Sequence, residues 1–275
     1  KAFRAGMQYQ ESLSNRDVGT CILSISDLHI PFQKPIETFS EYAGKIDILQ
    51  INGDLVDAQA ISRFNKVYRK SPMEEILIAR QYMIDLIEML QPKKVVVNYG
   101  NRDLRFQNYL AKNLDTDLLE LMPKTSLELI FVDGFNHYNK ELHTKVHYDP
   151  LIDVFKDSGI EIVYNDTWFS FVGETIFAHP LAYSSGMLKT AEKAYRYFKD
   201  NDYFFDTIVM AHTHKTGHYD IGNSVIYEQG CCCETSKMDY ADGKLTPSQR
   251  EGFILVYQDK FGRLNEDKTH IVRLN

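Results

Sequence analysis

Residues with metal-binding side chains recur along the chain, and each group follows directly on a short apolar run. Asp27 and His29 come after the run CILSIS at 21–26, and Asp54 comes after the run IDILQI at 46–51 and the link Asn52-Gly53. The later candidates are Asn101, His179, His212 and His214. Two aspartates, one asparagine and four histidines offer mixed oxygen and nitrogen donors, which suit Mn, Fe, Zn or Co better than Ca or Mg.

The number of these donor groups indicates more than one metal ion. Seven groups are too many for one tetrahedral ion, and they fit two ions that share a bridging carboxylate. Two divalent ions about 3.5–4 Å apart clamp a phosphoryl centre and lower the pKa of a bound water. Phosphate esters have very high uncatalysed barriers to hydrolysis, so their cleavage needs such electrostatic help. The chemistry that the residues indicate is therefore hydrolysis of a phosphate ester.

The elements that position these residues alternate between strand and helix in the first half of the chain. Buried strands are predicted at 21–26, 46–51 and 93–99, and each ends in polar residues. A helix is predicted at 72–90, because Pro72 stands in its first turn, apolar residues recur with helical spacing and Pro92 follows its end. A weaker helical pattern covers 35–44, and another helix is expected at 103–121. This order predicts an α/β sheet with the functional residues at the carboxyl ends of its strands.

The second half of the chain contains mainly short strand patterns. They lie at 160–164, 167–172, 174–178, 206–210, 216–220, 223–228 and 252–257, with one helix expected near 187–200. We therefore expect a four-layer α/β/β/α sandwich with two mixed sheets and a dinuclear metal site at the strand ends. Residues 1–20 are interpreted as an N-terminal lead-in and residues 21–275 as a single domain.

Bulk composition limits the classes of function. No run of eighteen apolar residues occurs, so no membrane span is expected. The net charge of −7 makes the chain a poor non-specific binder of nucleic acid, although a local basic groove is compatible with it. Three of the four cysteines are consecutive at 231–233, which indicates reduced thiols and a cytoplasmic location. The chain begins at Lys1, and no secretion leader is expected. This start is compatible with a missing upstream domain.

The ordered motifs together resemble one enzyme superfamily. Asp27-x-His29, Gly53-Asp54, Gly100-Asn101-x-Asp103, a lone His179 and a final His212-x-His214 are similar to the motifs of the calcineurin-like metallophosphoesterases. The similarity runs from about residue 21 to about residue 230. It implies attack on phosphorus by a metal-held hydroxide. We expect two divalent metal ions, with Mn²⁺ first and Fe, Zn, Ni or Co as alternatives.

The resemblance also implies how the ligands divide between the two ions, with Asp54 as the bridge. One ion would be held by Asp27, His29, Asp54 and His214, and the other by Asp54, Asn101, His179 and His212.

The motif that contains Arg102 departs from the family. The family usually carries His after the Asn, whereas this chain has Arg102, which stays charged and cannot donate a proton at a relevant pH. Its planar fork of donors can still stabilise anionic oxygens. Asn101, Arg102 and Asp103 are the predicted catalytic group, and Asp103 either caps the following helix or orients Arg102. A smaller departure is Ala211, where the family usually has Gly before the first His of the final motif.

The sequences of three segments indicate a class of substrate. DLHIPF, GDLVDAQAISRFNK and GNRDLRFQNYLAK look most like phosphoesterases often encoded by bacteriophages and mobile elements. We therefore expect a phosphodiesterase acting on a nucleotide or nucleic acid. The G-N-R-D form also resembles bacterial UDP-diacylglucosamine pyrophosphate hydrolases, so a pyrophosphatase on a nucleotide-linked substrate is the alternative. A second alternative is a non-catalytic metal-binding interaction module on the same scaffold.

Several segments outside the ligand motifs could contact the substrate. Arg63 and Lys66 follow the Asp54 loop and either reach a substrate phosphate or remain solvated surface charges. Residues 133–150 and 181–205 are expected to line or cover the substrate cleft, because long segments at strand ends tend to determine specificity. The aromatic residues around 195–205 favour core packing over a base-stacking platform. Cys231 to Cys233 are interpreted as small buried residues beside the site, with a metal or redox role as the less favoured alternative. The sequence indicates no oligomeric state.

Overall fold

The structure is a computed structural model, and it describes residues 19–62, 70–184, 188–238 and 249–274. Thirteen strands occur in these ranges. They are β1 (Thr20–Ile25), β2 (Ile48–Asn52), β3 (Lys94–Asn98), β4 (Phe135–Asn139), β5 (Thr144–Tyr148), β6 (Glu161–Asn165), β7 (Phe169–Val172), β8 (Thr175–Ala178), β9 (Thr207–Met210), β10 (Thr216–Ile221), β11 (Ser224–Gln229), β12 (Gly252–Gln258) and β13 (His270–Arg273).

Two longer helices and several short ones connect the strands. The α-helices are α1 (Pro72–Leu90), α2 (Arg105–Leu110), α3 (Thr116–Leu119), α4 (Ser126–Glu128), α5 (Leu151–Val154) and α6 (Lys189–Asp200). Short 3₁₀ segments cover Ile36–Tyr42, Gln59–Ile61 and Thr235–Lys237, and a π-helical turn covers Leu129–Asp133. No helix within the described ranges is both long enough and apolar enough to cross a bilayer.

The first sheet contains six strands in the order β13-β12-β1-β2-β3-β6. Strands β1, β2, β3 and β6 run parallel to one another, whereas β12 is antiparallel to both β1 and β13. The carboxyl ends of β1, β2 and β3 therefore meet at one edge of the sheet. The three loops that follow these strands contain the first four predicted ligands.

The second sheet contains five strands in the order β10-β11-β9-β8-β7. Its central strands β11, β9 and β8 are parallel, and β10 and β7 are antiparallel edge strands. Strands β4 and β5 form a separate antiparallel hairpin. Because β8 and β9 are parallel neighbours, the residues that follow them, His179 and His212, also lie close to one another.

Three apolar layers separate the elements of the sandwich. Alternation along β1 directs Leu23 and Ile25 into a core with the outer helix α1, and it directs Ile22 toward the second sheet. Strand β9 alternates in the same way, with Ile208 and Met210 facing α6 and Val209 facing the first sheet. The predicted α/β/β/α sandwich with two mixed sheets is confirmed.

The long helix α1 has the bounds that the prolines at its two ends predict. Its N-cap Ser71 accepts a hydrogen bond from the Glu74 amide, and the Glu74 side chain accepts one from the Ser71 amide. This capping box closes the first turn around Pro72. At the other end Gln91 adopts a left-handed conformation, which stops the helix before Pro92.

The predicted helix at 103–121 is interrupted, and two sheet elements were missed. The chain forms α2 and α3 instead, because Asn113 hydrogen-bonds the Tyr109 carbonyl and Asp115 caps a new turn through the Asp117 amide. The β4–β5 hairpin and the edge strand β13 had no prediction. The core interpretation of the late aromatic residues is confirmed for Phe198 and Phe205, which are buried, whereas Phe204 is largely exposed.

Candidate metal centre

Tight backbone turns at the strand ends direct the candidate ligands toward one point between the sheets. Asp27, His29, Asp54, His212 and His214 all have left-handed backbone conformations, with φ between 47° and 74°. Such conformations are uncommon for residues other than glycine, and they cluster at functional sites because the surrounding structure must hold them.

Two glycines make room for this arrangement. A Cβ atom on Gly100 would lie 2.2 Å from the Asp54 Oδ1 atom and 2.8 Å from the His179 Nε2 atom. Gly53 has φ of +78°, and a Cβ atom there would lie 2.6 Å from the His179 Nδ1 atom. The loops after β2 and β3 can therefore close around His179 only because both residues lack a side chain.

Asp27, His29 and His214 form the first half of the cluster. The His214 Nε2 atom lies 3.1 Å from the Asp27 Oδ1 atom and 3.1 Å from the His29 Nε2 atom. The other Asp27 oxygen accepts hydrogen bonds from the Ser26 hydroxyl at 2.8 Å and from the His212 amide at 3.1 Å. Asp27 is fully buried, and His29 and His214 are almost fully buried.

Asp54, Asn101, His179 and His212 form the second half. The His179 Nε2 atom lies 3.5 Å from the Asp54 Oδ2 atom and 3.3 Å from the Asn101 Oδ1 atom. The rings of His179 and His212 meet edge to face at 5.3 Å between centroids. Asp54 joins the two halves, because its Oδ2 atom is also 4.0 Å from the His29 Nε2 atom. The structure thus brings all seven predicted ligands together.

Burial and mutual charge shift the pKa values within this cluster in opposite directions. Burial works to lower the pKa of His179, but the carboxylates of Asp54 and Asp27 outweigh it and raise that pKa to about 9. Burial and the charge of His179 lower the pKa of His212 to about 4. For Asp54, burial works to raise the pKa, and the charge and hydrogen bond of His179 hold it below its usual range instead. The buried carboxylates of Asp27 and Asp54 therefore favour positive charge within the cluster.

The donor set fits divalent metal ions. The Nδ1–H group of His179 donates to the Asn52 carbonyl at 2.8 Å, so its Nε2 atom is the one that faces the carboxylates. The His214 Nδ1 atom is similarly bonded at 3.0 Å to the side-chain oxygen of Gln249. Such outer hydrogen bonds fix the tautomer and orientation of metal-binding histidines. Ligand atoms of Asp54, His179 and His212, and separately of Asp27, His29 and Asp54, lie within 4.8 Å of one another.

Asp57 belongs to the same cluster, and the sequence did not point to it. Its carboxylate pairs with the Arg102 guanidinium and lies 3.6 Å from the His29 Nδ1 atom. Arg102 is 11% exposed, its Nε atom is 3.8 Å from the Asp54 Oδ2 atom, and its amide donates to the Asp54 Oδ1 atom at 2.7 Å. Asp57 is therefore the residue that orients Arg102.

Asp103 has neither of the roles predicted for it. Its Oδ2 atom accepts hydrogen bonds from the amides of Asp54 and Gly100, each at 2.8 Å, and so ties the loops after β2 and β3 together. The N-cap position of α2 is Leu104, without a side-chain cap. Burial and the neighbouring charge of Asp54 raise the pKa of Asp103 to about 7. Asp103 positions the ligand loops.

Replacing Asp57 with Asn tests its positioning role. The variant keeps the side-chain shape but loses the charge that faces both His29 and Arg102, so we expect metal affinity to fall about 10–100-fold, as for other outer partners of metal ligands. Titration with Mn²⁺ followed by calorimetry measures this. Asp153→Asn, at an exposed position of α5, is the matched control. Affinity within twofold of the wild type for Asp57→Asn would contradict the assignment.

A cleft of about 460 Å³ adjoins the cluster at Asn101. It is lined by Ile61, Asn101, Arg105, Asn108, Tyr109, Lys112 and Leu181. Leu181 comes from the predicted cleft segment 181–205, and no residue of 133–150 is among the described lining residues. A cleft role for 133–150 stays a prediction. Arg63 and Lys66 lie outside the described residues.

Comparison with known proteins identifies the class of protein that this fold and cluster define. The sequence profile described as calcineurin-like phosphoesterase matches residues 22–216. The chain belongs to this family, and it is a metal-dependent phosphoric ester hydrolase by class. No curated protein matches the chain significantly.

Solved structures with similarity to the chain include three proteins from different organisms. An archaeal phosphodiesterase has 14% identity and a TM-score of 0.43, over 92% of this chain and 99% of that one. Vacuolar protein sorting 29 from Cryptosporidium parvum has 17% identity and a TM-score of 0.41, over 93% and 97% of the two chains. Vps29 from Chaetomium thermophilum has 11% identity and a TM-score of 0.41, over 93% and 95%.

Metal removal is expected to destabilise the fold. Each ion, when present at a hundred times its Kd, adds about 2.7 kcal/mol of stability to the folded chain, so stripping both ions should lower Tm by about 10 °C. Thermal unfolding with a chelator, and then with Mn²⁺ restored, measures the shift. Ca²⁺ at the same concentration controls for ionic strength. If neither the chelator nor Mn²⁺ changes Tm, the cluster holds no stabilising metal.

Proposed function

We propose that the chain is a phosphodiesterase that acts on a nucleotide or nucleic acid. The observation that carries this proposal is the cleft beside Asn101. Of the described residues that line it, Arg105 and Lys112 are basic and none is acidic, although the whole chain has a net charge of −7. A concentration of positive charge in an acidic protein favours an anionic substrate.

Exposed aromatic rings beside the cluster favour a base-bearing substrate. Tyr109 lines the cleft and is 47% exposed. Tyr183 is 45% exposed, its ring lies 6.1 Å from that of His212, and the Lys215 ammonium lies 5.8 Å from its ring centroid. Exposed aromatic faces next to cations are the usual means of holding single-stranded bases. The three sequence stretches that resemble phage-encoded phosphoesterases agree with this substrate class.

The seven clustered side chains are the proposed metal ligands. Asp27, His29, Asp54 and His214 would hold one ion, and Asp54, Asn101, His179 and His212 the other. Bound divalent ions supply positive charge to the phosphoryl oxygens and lower the pKa of water. Mn²⁺ is the ion we expect at the second group.

The remaining side chains orient the substrate and its charge. The Arg102 guanidinium, held by Asp57, would donate to non-bridging oxygens of the phosphate. Asn101 stands where the cleft joins the cluster, so its amide would fix the phosphate at the boundary between them. Asp103 keeps the loops of Asp54 and Gly100 in register. With these roles, the reacting phosphorus would lie between Arg102 and the ligand cluster.

Two broader assignments complete the proposal. The four cysteines are all free thiols, which supports a reducing compartment, and we place the protein in the cytoplasm. Residues 21–275 are treated as one domain, since Ile22, Phe177 and Ile254 from both sheets share one apolar layer.

An activity panel tests the reaction class. With Mn²⁺ present, we expect turnover of an aryl phosphodiester and of single-stranded DNA, and weak turnover of simple alkyl monoesters. Pyrophosphate-linked nucleotides and duplex DNA complete the panel. Exclusive cleavage of the pyrophosphate linkage would replace the phosphodiesterase proposal with a pyrophosphatase. Tight metal binding without turnover of any substrate would indicate an interaction module.

Replacing Tyr109 with Ala tests the base-binding role of the cleft. A lost base stack costs about 1–3 kcal/mol, so KM for a short single-stranded oligonucleotide should rise about 5- to 150-fold. KM for bis(p-nitrophenyl) phosphate should change less, because it presents no nucleobase. Phe261→Ala is the control, since Phe261 is a 57% exposed aromatic residue outside both predicted cleft segments and is not among the described residues that line the cleft. Equal KM changes for both substrates would contradict base binding by Tyr109.

A further inference from the structure

The segment of three consecutive cysteines runs alongside the loop that follows the first ligand motif. The Cys232 amide donates to the Ser26 carbonyl at 2.9 Å, and the Lys34 amide donates to the Cys232 carbonyl at 2.9 Å. Cys233 forms an antiparallel bridge with Gln33. These backbone bonds fix the cysteine segment directly beside the chain that carries Asp27 and His29.

The three consecutive thiols lie on two sides of the segment. Cys232 belongs to the large core that packs beneath α1, and its thiol donates to the Gly252 carbonyl. Cys231 and Cys233 face the other way and share a small buried cluster with Met238, against which Phe32 packs. Cys231 and Cys233 therefore lie on the same side of the segment, and that side faces the ligand cluster at His29 and His214.

Cys233 reaches the first half of that cluster. Its Sγ atom and one ring nitrogen each of His29 and His214 lie within 4.8 Å of one another, and all three residues are buried. The Sγ atom also contacts the Met238 Sδ atom at 3.3 Å. Sulfur atoms of Cys233 and Met238 therefore lie beside the nitrogen and oxygen donors of this half of the cluster.

A second observation at the same place indicates a bound cation. The Nε2 atoms of His29 and His214 face each other at 3.1 Å beside the Asp27 carboxylate, and two such nitrogens can share only one proton between them. The other nitrogen of His29, Nδ1, is buried and has no hydrogen-bond partner, with the Asp57 Oδ1 atom 3.6 Å away. A metal ion would satisfy both Nε2 atoms and the carboxylate at once.

We propose that Cys233 is a further, thiolate ligand of the ion assigned to Asp27, His29, Asp54 and His214, and that this position selects Zn²⁺ over Mn²⁺. Thiolate is a soft donor that favours Zn²⁺, whereas Mn²⁺ prefers carboxylate and water oxygens, and Zn²⁺ also binds mixed sites more tightly in general. The thiol proton leaves to solvent when the ion binds. The group of Asp54, Asn101, His179 and His212 contains only nitrogen and oxygen donors, so the preference for Zn²⁺ over Mn²⁺ should be weaker there than at the position with the thiolate. The proposal rests on the proposed metal centre.

Cobalt substitution tests the thiolate directly. Wild-type protein loaded with Co²⁺ should show visible ligand-field bands from the bound metal and a near-ultraviolet charge-transfer band from cobalt bonded to sulfur. Cys233→Ser should keep the ligand-field bands and lose the charge-transfer band. Cys232→Ala, which removes the thiol that faces the core, is the matched control and should keep both.

The outcomes separate this proposal from the proposed function. Bound Co²⁺ without a charge-transfer band in the wild type, or a band that survives Cys233→Ser, overturns the thiolate and leaves the phosphodiesterase proposal standing. A band lost in Cys231→Ser and kept in Cys233→Ser overturns the assignment to Cys233. Failure of Co²⁺ to bind at all overturns both proposals.

Two measurements do not depend on Co²⁺. X-ray absorption of the wild type with one equivalent of Zn²⁺ should show a sulfur shell at about 2.3 Å in addition to nitrogen and oxygen at about 2.0–2.1 Å. A nitrogen and oxygen shell alone would overturn the proposal even if the cysteine variants failed to fold. With Zn²⁺ and Mn²⁺ in competition, Cys233→Ser should lose at least about tenfold of the wild type's preference for Zn²⁺ at this position.

Discussion

Replacing Asp54 with Asn is expected to reduce turnover by about 10³-fold or more, because the variant loses the negative charge shared by both metal positions. The Asp54 Oδ2 atom lies 3.5 Å from the His179 Nε2 atom and 4.0 Å from the His29 Nε2 atom, which belong to different halves of the cluster. Asn has the same shape and can still accept the Arg102 amide. The effect therefore isolates charge from packing.

His212→Ala is the variant with which Asp54→Asn should be compared. His212 contributes to one half of the cluster only, so this variant should keep one ion tightly bound while Asp54→Asn weakens the binding of both. Metal analysis after gel filtration, together with turnover at increasing Mn²⁺, distinguishes the two patterns. Full turnover of both variants at saturating metal would show that the ligand assignment is wrong.

The sequence predicted that these side chains would lie together, because each part of the signal is local. An apolar run that ends in Asp27, Asp54 or His179 defines both a strand and the polar group at its end, and parallel neighbours then bring those ends together. The order of strands could not be obtained in this way. Strand β12, from the far end of the chain, pairs with β1, and nothing within either run encodes that partner.

The same difference explains the elements that were missed. Helix α1 was predicted with its bounds because Pro72 and Pro92 mark its ends in the sequence itself. The break between α2 and α3 depends on whether Asn113 turns back to bind the Tyr109 carbonyl or points to solvent, and the residue type allows both. The β4–β5 hairpin is largely exposed, so its strands lack the apolar alternation that marks a buried strand.

Asp57 shows the limit of motif reasoning at the site. It lies three residues after Asp54 and has no distinguishing neighbour in the sequence, whereas in the structure it meets Arg102, 45 positions away. Asp103 was noticed because it stands in the Gly-Asn-x-Asp motif, but its role was misassigned. Its carboxylate receives two backbone amides from separate loops, and such contacts become visible only when the loops are placed in space.

Replacing Arg102 with Ala is expected to reduce turnover by about 10²–10³-fold, comparable to the loss of one donor to a developing oxyanion. The guanidinium is held by Asp57, and its Nε atom is 3.8 Å from the Asp54 Oδ2 atom, so its charge stands beside the ligand cluster. Arg102→Lys keeps the charge but loses the planar fork and the pairing geometry. It should recover only part of the lost turnover.

The contribution of Arg102 to turnover is expected to depend on the pKa of the leaving group. An alkoxide of high pKa needs a proton as it departs, and an aryl oxide does not. Arginine can supply charge and hydrogen bonds but no proton, so the wild type should depend steeply on leaving-group pKa. Arg102→His introduces a group that can donate a proton, and it should restore more activity toward poor leaving groups than toward good ones. A series of phosphodiesters with graded leaving groups, measured for both proteins at fixed metal, gives the two slopes. Equal slopes would show that position 102 does not face the departing oxygen, and the charge of Arg102 would then act on the ligand cluster alone.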